Sequence, residues 1–185
     1  AQYRRALNRF RYGAGATKVD LVLDGPIPWS DPRVAEAPTV HLGGSQAEIL
    51  AAEREVHRGR HPERPFVILA QTTMLDEQRN PAGMHAVWSY THVPSGSRVD
   101  MRERVLRQIE RFAPGVRDRI LKVRQVTAAD LARYNRNYHG GDFSAGAITL
   151  RQLLARPTLS REPHRTPVPG IYLASSSAHP RRRTR

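Results

Sequence analysis

The feature that most restricts the fold of this chain is a short apolar run from Phe66 to Ala70. Its length suits a strand rather than a helix, and a run that is apolar at every position is typical of a strand buried on both faces. A polar segment bounded by prolines, residues 61–65, precedes it. The sequence therefore predicts an interior strand, around which the other strands of a sheet must be arranged.

Further strands are predicted on both sides of this run. Residues 85–93 are expected to pair with residues 66–71 as antiparallel strands joined across a loop. Apolar and polar residues alternate from Lys18 to Asp24, which is typical of a strand with one buried face. Shorter strands are predicted for Thr39–Leu42 and Ile171–Ala174. Because these strands show no strand–helix–strand repeat, we expect an α+β fold, a mixed and largely antiparallel sheet with flanking helices and no complete Rossmann fold.

Helices are predicted where a capping pattern precedes an amphipathic segment. Ser45 and Glu48 form the pattern of a capping box, and the helix after them is expected to bury Ile49, Leu50 and Val56. The other predictions are helices over 1–11, 46–58, 101–112 capped by Asp100 and Glu103, a helical turn through Tyr134 capped by Thr127 and Asp130, a helix over 149–155, and either a helix or a strand over 116–126.

The composition excludes several kinds of site. The chain has no cysteine, so it can form no disulfide and no thiolate metal site, which fits a cytoplasmic protein. No apolar stretch approaches the ~20 residues needed to cross a bilayer, and residues 1–5 lead into no signal-peptide core. The eight histidines show no metal-ligand spacing, so no metal site is expected.

The chain is strongly basic, with a net charge of +13. Such a charge is typical of proteins that bind nucleic acid or an anionic membrane surface. Lysine occurs only at Lys18 and Lys122, however, so nearly all of the charge is arginine, which indicates a bias of codon usage. Four arginines crowd residues 181–185, and the others are interspersed with acidic residues. We therefore favour solvated arginine-rich faces over a nucleic-acid surface.

Two motifs resemble catalytic or binding signatures without completing them. Residues 43–45, Gly-Gly-Ser, lie between a predicted strand and a helix, which is the layout of a phosphate-binding turn, but the G-x-G-x-x-G spacing is missing. The serines at 175–177 and His179 lack the G-x-S-x-G pattern of a nucleophile elbow. A tight turn is the favoured interpretation of the first motif, and no catalytic acid or base is assigned.

Aromatic and histidine side chains on the predicted strands are expected to have ordinary structural roles. His85 and His92 are separated by an odd number of residues, so they should lie on opposite faces of one strand. Trp29, Trp88 and Tyr90 have rings on which a ligand could stack, but aromatic residues on strands are usually part of the core.

Several segments, taken in order along the chain, resemble one family. They are Lys18–Trp29, Thr39–Gly44, Pro62–Phe66, Gln108–Gly115, Tyr134–Tyr138, Gly140–Asp142 and Arg165–Leu173. From about residue 3 to residue 180, the chain is similar to the C-terminal portion of the phytoene-dehydrogenase-related FAD-dependent oxidoreductases. This family is part of the amine-oxidase-like superfamily of NAD(P)/FAD-dependent oxidoreductases.

The resemblance implies a fold and a cofactor. In such proteins an N-terminal Rossmann-type fold binds FAD, a substrate domain covers the isoalloxazine, and hydride passes between an apolar or isoprenoid-type substrate and the flavin. Residues 1–163 would then be a substrate-domain-like region, 164–180 the strand that returns to the flavin domain, and 181–185 a disordered basic tail. By motif position, the residues that contact FAD would be Ser175, Ser176, His179 and Pro180.

The sequence departs from the family in two places. The G-x-G-x-x-G half is absent, and arginines at 181–185 stand where the family has a glycine run, as a truncation or a change of reading frame would produce. We therefore predict a C-terminal fragment of an FAD-dependent oxidoreductase that is inactive alone and that associates with a separate Rossmann-containing chain or with itself. The alternatives are a basic module that binds nucleic acid or an anionic surface, and a non-catalytic partner subunit.

Overall fold

A five-stranded sheet forms the centre of the computed structural model, which describes residues 2–178. The strands are β1 (Gly15–Leu23), β2 (Thr39–Leu42), β3 (Val67–Ala70), β4 (His85–Val93) and β5 (Ile120–Val126). Their order in the sheet is β2-β3-β4-β1-β5, and every neighbouring pair is antiparallel. The predicted α+β class is confirmed, and so is the antiparallel pairing of β3 with β4.

Helices flank this sheet. The α-helices of the described residues are α1 (Gln2–Leu7), α2 (Gln46–His57), α3 (Arg102–Glu110), α4 (Ala128–Tyr134) and α5 (Leu150–Leu154). None of the helices within residues 2–178 is long and apolar enough to span a membrane. Helix α1 is shorter than the predicted 1–11 because the residues after it leave the helix to bond elsewhere. The Arg11 amide donates to Gln152 Oε1 at 2.7 Å, and the Gly13 amide donates to Asp142 Oδ2 at 2.6 Å.

One face of the sheet packs against α3 and forms the core. Alternate residues of β1, which are Val19, Leu21 and Leu23, are buried there together with Val105 and Ile109 of α3. Burying a side chain of this size contributes roughly 1.5–3 kcal/mol to folding. The predicted helix over 101–112 is therefore confirmed as an amphipathic helix, and it covers this face of the sheet.

Two predictions about helices are wrong. Met101, not Asp100, is the N-cap of α3, because the Asp100 carboxylate accepts from the backbone and the guanidinium of Arg102. Glu103 binds Arg117 at 2.8 Å instead of completing a capping box. On α2 the side chain of Leu50 is exposed, and the fully buried positions are Ala52 and Val56.

The predicted strand over 171–174 is reduced to a single antiparallel bridge between Arg165 and Tyr172. The segment bonds to itself, since the Leu173 amide donates to the His164 carbonyl at 2.7 Å and the Thr166 amide donates to the Ile171 carbonyl at 3.2 Å. Residues 164–173 therefore form a small hairpin of their own.

The capping boxes at Ser45 and Thr127 are both confirmed, and the second gives a pH dependence. The hydroxyl and the amide of Thr127 donate to the Asp130 carboxylate at 2.7 and 3.0 Å. These bonds, with the Arg133 guanidinium, lower the pKa of Asp130 from 3.8 to about 2. Because the folded pKa lies below the unfolded one, this carboxylate stabilises the fold above about pH 3.8 and loses that effect as the pH falls toward 2.

We expect Asp130→Asn to lower stability most at and above pH 5 and to approach the parent protein near pH 2. Urea unfolding of both proteins across this range would measure the difference. A difference that stays constant with pH would contradict the assigned role of the carboxylate.

Candidate functional site

The face of the sheet opposite α3 carries a column of rings along β4. Trp88, Tyr90 and His92 alternate with buried residues of β4 and so point away from the core. The rings of Trp88 and Tyr90 are stacked, with centroids 5.9 Å apart and planes at 13°, and the His92 ring follows at 6.1 Å. Trp88 is 37% exposed. The prediction of a core role is therefore wrong for Trp88, whereas Trp29 does pack against the core.

A fourth ring comes from the loop after α4. Phe143 places its edge on the Tyr90 ring at a centroid distance of 5.0 Å and an angle of 89°, and it is 39% exposed. Partial burial raises the pKa of the Tyr90 phenol. We call the four residues Trp88, Tyr90, His92 and Phe143 the aromatic face.

Polar and apolar neighbours lie on opposite sides of the aromatic face. On β1, the register places Lys18 beside Tyr90 and Asp20 beside Trp88, and the two charged groups are 2.7 Å apart. On β3, Ile68 lies beside Tyr90. A surface of this kind can stack a flat or extended apolar molecule while its charged side contacts polar atoms.

His92 at one end of the column is held by a carboxylate from α2. Its Nδ1 lies 2.9 and 3.1 Å from the two oxygens of Glu53. No sequence pattern predicted this pair, because the two residues are 39 positions apart. As predicted, His85 lies on the other face of β4, because the register with β1 runs from His85 to Val93 without a bulge.

The loop that presents Phe143 is fixed by the buried carboxylate of Asp142. Its Oδ2 accepts from the amides of Gly13 and Gly146 at 2.6 and 2.9 Å, and its Oδ1 accepts from the Ser144 amide at 2.9 Å. Only 2% of Asp142 is exposed. The position of the Phe143 ring is therefore set by a carboxylate that joins its own loop to Gly13, a residue far away in the sequence.

Of the residues predicted to contact FAD, two are described. Ser176 begins a short turn, Ser176–Ala178, and its hydroxyl donates to the carbonyl of Ser144 at 3.2 Å. The hydroxyl of Ser175 lies 2.9 Å from that of Ser177. His179 and Pro180 lie outside the described residues, as do the arginines at 181–185. Because Ser144 follows Phe143, the structure brings the predicted cofactor segment beside the loop of the aromatic face.

The glycine turn at 43–45 does not fit a phosphate. A side chain at Gly43 would overlap Ile49, so the glycine there serves close packing of α2. The carboxylate of Glu48 occupies the start of α2, where it accepts from the Ser45 amide at 3.0 Å and binds Arg111 at 3.0 Å. This turn is therefore filled, and every strand pair of the described sheet is antiparallel, so residues 2–178 contain no parallel strand–helix–strand unit of the kind that binds a dinucleotide.

The charged surface supports the interpretation of the arginines as solvated and paired. Arg60 binds Glu55 at 2.5 Å, and Arg107 binds Glu63 at 2.6 Å. Throughout the described range 2–178, no group of three or more histidine, aspartate or glutamate side chains is arranged to hold a metal ion.

These features define an α+β unit with one occupied face and one aromatic face. The chain matches no protein-family model. It is similar to the pyridine nucleotide-disulfide oxidoreductase domain-containing protein 2 of Rattus norvegicus and of Mus musculus, with 31% identity over 166 residues in each case. The match covers 83% of this chain and 28% of each relative, so the chain spans less than a third of the length of these curated relatives. The similarity establishes a broad relationship with NAD(P)/FAD-type oxidoreductases.

Proposed function

We propose that this chain is the substrate-covering part of an FAD-dependent oxidoreductase of the phytoene-dehydrogenase-related kind. The observation that carries the proposal is the aromatic face, where Trp88, Tyr90 and Phe143 present ring surface away from the core. An apolar or isoprenoid-type substrate would lie against these rings, which also exclude water from it. The similarity to two oxidoreductase-domain proteins supports the proposal.

FAD would supply hydride acceptance when bound, and the nucleotide would be held by a separate Rossmann-containing region. In this proposal the chain is inactive alone and works in the cytoplasm. Ser175 and Ser176, with His179 and Pro180, would lie near the flavin, which the hydrogen bond from Ser176 to the Phe143 loop supports. The chain has no cysteine, so it contributes no thiol to the chemistry.

Exposed apolar side chains in residues 148–172 indicate where the nucleotide-binding region would dock. These side chains lie close together in the sequence and are largely solvent-exposed: Ile148, Leu150, Leu154, Leu159, Ile171 and Tyr172. Exposed apolar groups of this density mark interaction surfaces. Two of them, Ile171 and Tyr172, lie within residues 164–180, the segment predicted to return to the flavin domain.

The proposal predicts that the purified chain carries no flavin and acquires it only in a complex. We expect it to elute without flavin absorbance, with or without added FAD. The chain should be mixed with the part of the rat relative that lies outside the matched region. We expect the two to elute from gel filtration as one yellow complex. Stoichiometric FAD on the chain alone would contradict the proposal.

A pair of substitutions locates the docking surface. Leu150→Asp should weaken the complex at least tenfold, because it places a charge in an apolar interface. Leu121→Asp changes another exposed leucine, on β5, and should leave the complex intact. Equal effects of the two changes would place the interface elsewhere.

A further inference from the structure

The pair formed by His92 and Glu53 has a geometry that fixes the chemistry of the imidazole. An ionised carboxylate can only accept hydrogen bonds, so Nδ1 of His92, at 2.9 Å from Glu53, carries the hydrogen. In the neutral ring Nε2 then has a free lone pair and accepts hydrogen bonds. Among residues 2–178, no group hydrogen-bonds this Nε2.

The pair of His92 and Glu53 contributes little to the stability of the fold. The side chains of His92 and Glu53 are 35% and 40% exposed, and an exposed ion pair is worth only about 0–1 kcal/mol. Its main effect is to hold the imidazole at one end of the aromatic face. From Trp88 to His92 the strand extends roughly 13 Å, which is the length of an extended aliphatic chain of about ten carbons. The 6.1 Å between the rings of Tyr90 and His92 is close to the length of two fused rings.

We propose that Nε2 of His92, positioned by Glu53, accepts a hydrogen bond from a hydroxyl group at one end of the ligand. The apolar body of that ligand lies along Tyr90 and Trp88. The inference rests on the proposed function and narrows its substrate class to apolar molecules that carry a terminal hydroxyl. His92 is a positioning residue for that hydroxyl.

Two probes that differ only in the hydroxyl test the inference on the full chain. The first is 2-naphthol, and the second is 2-methoxynaphthalene, which has the same rings but no O–H donor. We expect 2-naphthol to bind about fivefold more tightly by calorimetry, which is the contribution of one hydrogen bond. The ¹⁵N resonance of Nε2 of His92 should shift when 2-naphthol is added, and it should not shift when 2-methoxynaphthalene is added.

Three variants assign the preference to the pair. His92→Phe keeps a ring and should abolish the fivefold preference for 2-naphthol. Glu53→Ala should reduce this preference while leaving every residue of β4 unchanged. Glu53→Gln keeps an oxygen that accepts from Nδ1 and should retain the preference. His57→Phe, which changes an exposed histidine on α2, is the matched control and should have no effect.

The outcomes separate the inference from the proposed function. Equal binding of the two probes, unchanged by His92→Phe, overturns the role of His92 but leaves the aromatic face as a binding surface. If neither probe binds, both the role of His92 and the substrate-covering role of the face are overturned. The flavin complex described above is measured independently of either result. For each variant, an amide NMR spectrum that matches the spectrum of the parent protein shows that the variant is folded.

Discussion

Replacing Asp142 by alanine should destabilise the protein by about 3 kcal/mol and release Phe143 from Tyr90. The change removes the acceptor of three backbone amides, and leaving a buried donor unsatisfied costs about 1–3 kcal/mol. For a protein of this size the melting temperature should fall by about 6–12 °C. Thermal and urea unfolding followed by circular dichroism would measure the loss, and the cross-relaxation between the two rings would report the movement of Phe143.

Two further substitutions control this experiment. Asp142→Asn keeps one acceptor oxygen and should lose about half as much stability. Asp24→Ala removes an exposed carboxylate and should change stability by less than about 0.5 kcal/mol. If Asp142→Ala cost less than about 1 kcal/mol, the carboxylate would not be what fixes the loop.

Replacing Gly141 by alanine should cost about 3 kcal/mol. Gly141 has a φ of +85°, and a Cβ there would lie 2.7 Å from Cα and Cβ of Ala128 and 2.8 Å from its carbonyl oxygen. The left-handed backbone costs about 1–2 kcal/mol for alanine, and displacing the start of α4 costs about 1–3 kcal/mol more. Urea unfolding would measure the change.

Gly59→Ala is the matched control for this prediction. Gly59 has a similar φ of +78° but no atom within 4 Å of the added Cβ, so only the backbone cost of about 1–2 kcal/mol applies. Both changes restrict the unfolded chain equally, so the difference between them reports the overlap with Ala128. Equal losses in the two variants would show that the loop moves freely away from α4.

Local patterns predicted the strands well but misassigned the face of β4. The inner face carries Ser89 and Thr91, both buried, and the Ser89 hydroxyl donates to the Val19 carbonyl at 2.9 Å. The outer face carries Trp88 and Tyr90. Alternation shows which residues share a face, but here the more aromatic face is the outer one, so hydrophobicity alone selects the wrong side.

Capping patterns also predicted some contacts correctly and others wrongly. The boxes at Ser45 and Thr127 were predicted because both partners lie within one helical turn. Asp100 did not cap α3, since its carboxylate is taken by Arg102, a competitor that the pattern ignores.

The contacts that build the site were beyond prediction from sequence. Asp142 reaches Gly13 across 129 positions, and only the folded chain shows that this pair sets the place of Phe143. The glycines before Asp142 were visible in the sequence as a motif. Their reason was not, since Gly140 lies close to Ser95 and Gly141 close to Ala128 only in the folded chain.

The strand order has a consequence for how copies of the protein meet. The sheet ends at β2, which is only 4 residues long, and at β5, where Lys122 and Arg124 are exposed. Short or cationic edge strands discourage the addition of further strands from another molecule. Growth of the sheet from one copy to another is therefore disfavoured at both edges, and we expect any association of copies to use the exposed apolar side chains such as Leu150 and Leu154 instead.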